Sequence, residues 1–176
     1  MTPQDAIAES ILATKALAAR YFAGFTDETR TRQPPGLPNH LAWSLGHLAL
    51  TMHRVAEKID GAPPPEADFA PGHAAPSTPP PQRFHFEDIS FGSTPVDDPA
   101  RYPSLGRCTA IFDAAIDRFA ATYRAATDAR LDQTTPWGAG TATLRSLGGR
   151  LVFHNGMHTG QLADLRRALG FKSIFA

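Results

Sequence analysis

The segment TLRSLGGRLVFHNGMHTGQLADLRRALG, residues 143–170, decides how the rest of the chain is read. Leu147, Leu151, His154, His158, Leu162, Leu165 and Leu169 follow one another at steps of three or four, the period of a single face of an α-helix. Arg166 and Arg167 near the end, with Gly170 beyond it, supply the cationic last turn and the left-handed stop that helices favour. A helix is therefore predicted from near Thr143 to Leu169, with Gly148 and Gly149 weakening its start. Two histidines four residues apart on a helix have β-carbons about 5–6 Å apart, a gap that one metal ion can bridge. Because they interrupt an apolar stripe they point into the interior, where two imidazoles need a polar partner and a cation serves both.

Such a helix needs apolar partners, and three further segments have the same period. The first is predicted from Pro3 to Ala23, with Thr2 as N-cap, Pro3 at the first position, and Ile7, Ile11, Ala18, Phe22 and Phe25 on its buried face. The second runs from about Pro38 to Asp60 with Leu41, Leu45, Leu48, Met52, Val55 and Ile59, and Gly61 ends it. The third spans about Ser104 to Asp128 with Leu105, Cys108, Phe112, Ala115, Phe119 and Thr122. Four such helices can cover one another's stripes in an all-α four-helix bundle. Short links at residues 25–37 and 129–142 suit antiparallel neighbours, whereas residues 61–103 are long enough to cross the bundle, so an up-down-down-up order is expected.

Eleven of the sixteen prolines fall between Pro63 and Pro103, so this crossover is predicted to be irregular. Phe84, Phe86, Ile89 and Phe91 give it apolar anchors that a solvated linker lacks, and residues 83–91 admit a short extended piece. A loop of this length inside a compact domain is usually functional. The chain of 176 residues suits a single domain, residues 1–176. Seventeen basic and seventeen acidic residues balance, which argues against phosphate-backbone binding. No apolar run approaches a membrane span, the start MTPQDAIAES has no secretion-signal pattern, and the single Cys108 cannot form an internal disulfide. A cytoplasmic protein with neither nucleic-acid nor membrane partners is expected.

A third inward histidine would turn the pair into a site. His47 lies beside the stripe of the second helix, on the flank that carries Ser44, Thr51 and His40; periodicity does not choose between His40 and His47. His53 points elsewhere and reads as a surface residue. His73 and His85 read as solvent-exposed loop residues, and Cys108 as a buried structural thiol. Trp43 and Trp137 read as packing residues. Gln161 reads equally as surface or as a partner of a ligand histidine, and Gly156 with Gly160 as a contact for close helix packing.

The segments LAWSLGHLALTMHR (Leu41–Arg54) and FHNGMHTGQLADLRRALG (Phe153–Gly170) together resemble the DinB-like superfamily, including its YfiT-type members. The segment YPSLGR (Tyr102–Arg107) resembles the start of the third helix in one branch of it. This resemblance implies a four-helix bundle in which His47, His154 and His158 bind a divalent metal ion, zinc, nickel or iron. Gly156 and Thr159 depart from the bulkier residues or arginine of many relatives. It also implies an activity: relatives include metal-dependent transferases of bacillithiol and mycothiol, and a thiol-dependent isomerase. A transferase that adds a low-molecular-weight thiol cosubstrate to an electrophilic small-molecule substrate is the expectation. Three neutral imidazoles would leave the full charge of the ion to favour a thiolate. Asn155, Gly156 and Met157 place no carboxylate between the helical histidines, against the H-E-x-x-H pattern of metalloproteases, and no E-x-x-H of a di-iron centre occurs. The alternative is a non-catalytic four-helix protein that keeps a metal or serves as a homodimer module.

Overall fold

The structure, a computed structural model, describes residues 1–174 and is mostly helical. Helix α1 (Pro3–Phe22) starts on a reciprocal cap, in which Thr2 Oγ1 accepts from the Asp5 amide and Asp5 Oδ2 accepts from the Thr2 amide. It ends one turn before Phe25, which is buried beyond the helix. Helix α2 (Leu41–Asp60) begins three residues later than Pro38 because His40 occupies the cap, and Gly61 closes it in the left-handed conformation. After the crossover come α4 (Leu105–Ala125), the short α5 (Asp128–Leu131) and α6 (Leu144–Ala168), the last stopped by Gly170 at φ 75°. The four-residue α3 (Phe86–Ile89) lies within the crossover.

The four long helices contact one another in the cyclic order α1, α4, α2, α6. Between α1 and α6 the contacts advance in the same chain sense, since a side chain at Gly148 would meet Ile7, Asn155 Nδ2 reaches Thr14, and Arg166 caps the carbonyls of Tyr21 and Ala23. Between α2 and α6 they run oppositely, Asn39 bonding Gln161 and Met52 meeting Asn155. The stripe of α2 is buried throughout, while those of the other three long helices are buried except for the half-buried Ile7, Leu105, His154 and Leu169.

Residues 61–103 are held down rather than loose. Strand β1 (Phe69–Ala70) pairs in parallel with β2 (Phe84–His85), which realises part of the expected extended piece. Phe69, Phe84, Ile89 and Tyr102 are buried and Phe86 is partly buried, but Phe91, expected as an anchor, is exposed. Arg107 of α4 reaches Asp68 Oδ1 at 2.6 Å and the carbonyls of Ala67 and Gln82. The buried Arg30 donates to the carbonyls of Pro99, Tyr102 and Pro103. A guanidinium out of water is tolerable here because each face of its fork meets a carbonyl.

Three expectations are corrected. The 129–142 link holds α5 and a hairpin of β3 (Thr134–Trp137) and β4 (Gly140–Thr143), whose turn needs Gly138 at φ 59°; its polar, half-exposed residues carry no apolar alternation to announce it. His53 is buried, accepting at Nδ1 from Arg118. Gly156 and Gly160 face open space, so they do not mediate packing; the tight glycines are Gly46 and Gly148, where an added Cβ would lie 2.8 Å from Phe84 and 2.6 Å from Ile7.

Candidate metal centre

His47 is placed by α2 on the face turned toward α6, where His154 and His158 project one turn apart. Ligand nitrogens of the three lie within 4.8 Å of one another, a spread that could hold a metal ion. His47 Nε2 is 3.3 Å from His154 Nε2, and the His158 ring centroid is 5.0 Å from His47 and 4.7 Å from His154. His47 and His158 are buried and His154 partly so.

The hydrogen bonds assign the nitrogens. His47 Nδ1 donates to the Ile89 carbonyl at 2.8 Å, which leaves its Nε2 as a lone pair aimed at His154. His154 Nε2 stands opposite it, so the contact is held either by a proton on His154 Nε2 or by a cation between two lone pairs. A tetrahedral ion with bonds of about 2.0–2.1 Å sets its nitrogens roughly 3.3–3.4 Å apart, so the His47–His154 spacing fits; a pair at the 4.8 Å limit would need to close by roughly 1.5 Å. His154 Nδ1 and His158 Nδ1 are buried without a hydrogen-bond partner among the described residues.

Burial holds the rings neutral, as ligation requires. Desolvation pushes the His154 pKa down to about 4, helped by His47. It does the same for His158, helped by His154 and His47 and opposed by Gln161. His47 is lowered by desolvation and by the Arg54 cation, against the stabilising bond to Ile89.

His40 lies outside the cluster because both its nitrogens are engaged. Nδ1 accepts from the Trp43 amide at 3.0 Å, and Nε2 donates to the Val96 carbonyl at 3.1 Å. His73 bonds Asp88, and His85 bonds the Pro71 carbonyl. Cys108 is buried in α4, its thiol given to the Pro103 carbonyl and its pKa pushed up by desolvation. Asn155, which lies within the histidine motif, turns away to Thr14 and the Met52 sulfur. Gln161 accepts from Asn39.

Trp43 is more than a packing residue. Its ring stacks on His47 with centroids 4.5 Å apart and planes 10° apart, and its Nε1 donates to Ser93 Oγ at 2.9 Å. Its position one turn before His47 carried that signal in the sequence. The Ile89 carbonyl carried none, being a backbone group of the crossover.

The fold and the cluster define a mostly helical protein with three histidines that could hold a metal ion. The family model of the DinB superfamily matches residues 11–162, and the chain belongs to that superfamily. A crystal structure of a conserved protein from Enterococcus faecalis superposes with a TM-score of 0.72 at 14% identity, covering 96% of this chain and 97% of that one. At that identity the likeness speaks for the fold alone. The search of curated proteins gave no significant match. No helix among the described residues is long and apolar enough to cross a membrane.

Proposed function

We propose that the chain is one domain, an up-down-down-up four-helix bundle whose His47, His154 and His158 hold a divalent zinc, nickel or iron ion, and that it joins a low-molecular-weight thiol to an electrophilic small molecule. The parallel α1–α6 and antiparallel α2–α6 contacts support the helix order. The observation that carries the site is the pair of Nε2 atoms 3.3 Å apart with a third neutral histidine beside them. Bound there, such an ion supplies Lewis acidity that lowers the pKa of a coordinating thiol.

The chain's own residues support thiol addition over hydrolysis. Hydrolysis needs a base to orient water and take its proton, and the residue that would stand in that place, Asn155, faces the core. In thiol addition the sulfur forms a bond to an electrophilic carbon and its proton passes to solvent or the leaving group, so positioning suffices. Trp43 walls the site, and exposed Arg54, on the His47 side of α2, offers a cation to an anionic substrate. A cytoplasmic location, where small thiols stay reduced, accords with this chemistry. Exposed Phe153 and Met157, each one residue before a clustered histidine, offer a homodimer its surface, which sedimentation velocity tests.

The deciding experiment screens physiological thiols against electrophiles with cobalt-substituted protein. Thiol addition should change the cobalt d–d spectrum, and turnover should vanish in His154→Ala. If the metal stays bound while no thiol alters the spectrum or supports turnover, the non-catalytic alternative replaces the enzyme.

A further inference from the structure

The crossover reaches the site through one short stretch, residues 88–93, and that stretch hangs on a buried carboxylate. Asp88 is 6% exposed. Its Oδ2 accepts from the Ala74 amide at 2.7 Å, and its Oδ1 accepts from His73 Nδ1 at 2.8 Å and Arg101 Nη2 at 3.0 Å. These bonds draw three separate parts of the crossover to one point. From that point two backbone carbonyls lead to the cluster. The Asp88 carbonyl accepts from Ser93 Oγ at 3.1 Å, and Ser93 Oγ accepts from Trp43 Nε1, the indole stacked on His47. The next carbonyl, of Ile89, accepts from His47 Nδ1.

We propose that Asp88 is a positioning residue for His47: by fixing residues 88–93 it sets the His47 tautomer, with the proton on Nδ1, and the ring orientation that turns Nε2 toward His154. An imidazole in water favours neither nitrogen strongly, so the tautomer in a folded chain follows whichever partner is held in place. A single carbonyl on a mobile loop would not hold it. Asp88 supplies the rigidity because a buried carboxylate with three donors is costly to disconnect. Asparagine at this position would keep the shape but put a donor amide in place of one oxygen, against either the Ala74 amide or the His73 and Arg101 donors, so the 88–93 stretch should loosen while the helices remain.

The inference deepens the metal-centre reading and rests on it only for metal binding. Its test uses the full chain, with Trp137→Phe so that Trp43 is the one indole. Long-range 15N–1H spectra of the metal-free protein read the His47 tautomer, and Co2+ titration followed by Trp43 emission reads affinity. The parent should show His47 protonated at Nδ1. Asp88→Asn should show a mixture of tautomers and bind Co2+ about 10–100-fold more weakly, the usual cost of losing an outer partner of a ligand histidine. A variant that keeps the Nδ1–H form, whatever its Co2+ affinity, overturns the proposal. Should Asp88→Asn fail to fold, the double variant His73→Ala, Arg101→Gln removes both donors to Oδ1 from the crossover and must shift the tautomer in the same way. A parent that takes up no Co2+ removes the metal reading, and the tautomer comparison still decides the role of Asp88.

Discussion

Gly46→Ala tests whether the crossover is packed on α2 as tightly as the site requires. A Cβ at this position would lie 2.8 Å from both Cδ1 and Cε1 of Phe84 and 3.0 Å from Cγ2 of Ile89. Both residues are buried, at 1% and 0% exposure, so neither side chain can swing aside into solvent. Alanine should add about 1 kcal/mol of helix propensity, while overpacking a filled core costs about 2–3 kcal/mol at contacts this short. The net loss is about 1–2 kcal/mol, roughly 2–8 °C in Tm for a chain of this size. Gly156→Ala is the control, since its Cβ meets nothing within 4 Å and should gain up to about 1 kcal/mol. Urea denaturation of the two variants beside the parent gives both numbers. The displaced Ile89 should also weaken Co2+ uptake, because its carbonyl holds His47. A Gly46→Ala protein as stable as Gly156→Ala would refute this account of the packing.

Saturation with the cognate metal at about 100 times its Kd should stabilise the folded state by about 2.7 kcal/mol, roughly 5–11 °C in Tm, and His158→Ala should lose most of that rise in a thermal melt. An unchanged rise in the variant would place the ligands elsewhere. His40, held at about 4 against an ordinary 6.5 by burial, takes up its proton more readily in the unfolded chain, so it should contribute about 3 kcal/mol to the fall in stability as pH drops from about 6.5 to about 4, beside the shares of His53, His154 and His158, which burial lowers in the same way. His40→Asn, which keeps a cap for the Trp43 amide, should make that part of the curve shallower by the His40 share, and a profile unchanged from the parent would remove His40 as a contributor.

The helices were legible because their evidence is local. The stripe from Leu147 to Leu165, the cap at Thr2 and the stops at Gly61 and Gly170 each involve residues within a few turns, and backbone geometry links them directly. His154 and His158 could be paired on the same ground, since an i,i+4 spacing fixes their common face. The third histidine could not be chosen by period, because His40 and His47 share a flank; the resemblance of motifs named His47. Tertiary structure separated them through contacts distant in sequence, engaging both nitrogens of His40 locally and with Val96 while Ile89 took only Nδ1 of His47. The burial of His53, the open space around Gly156 and the role of Asp88 are of the same kind. Each depends on which surfaces meet once a proline-rich crossover has been folded back, and no periodicity along the chain encodes that meeting.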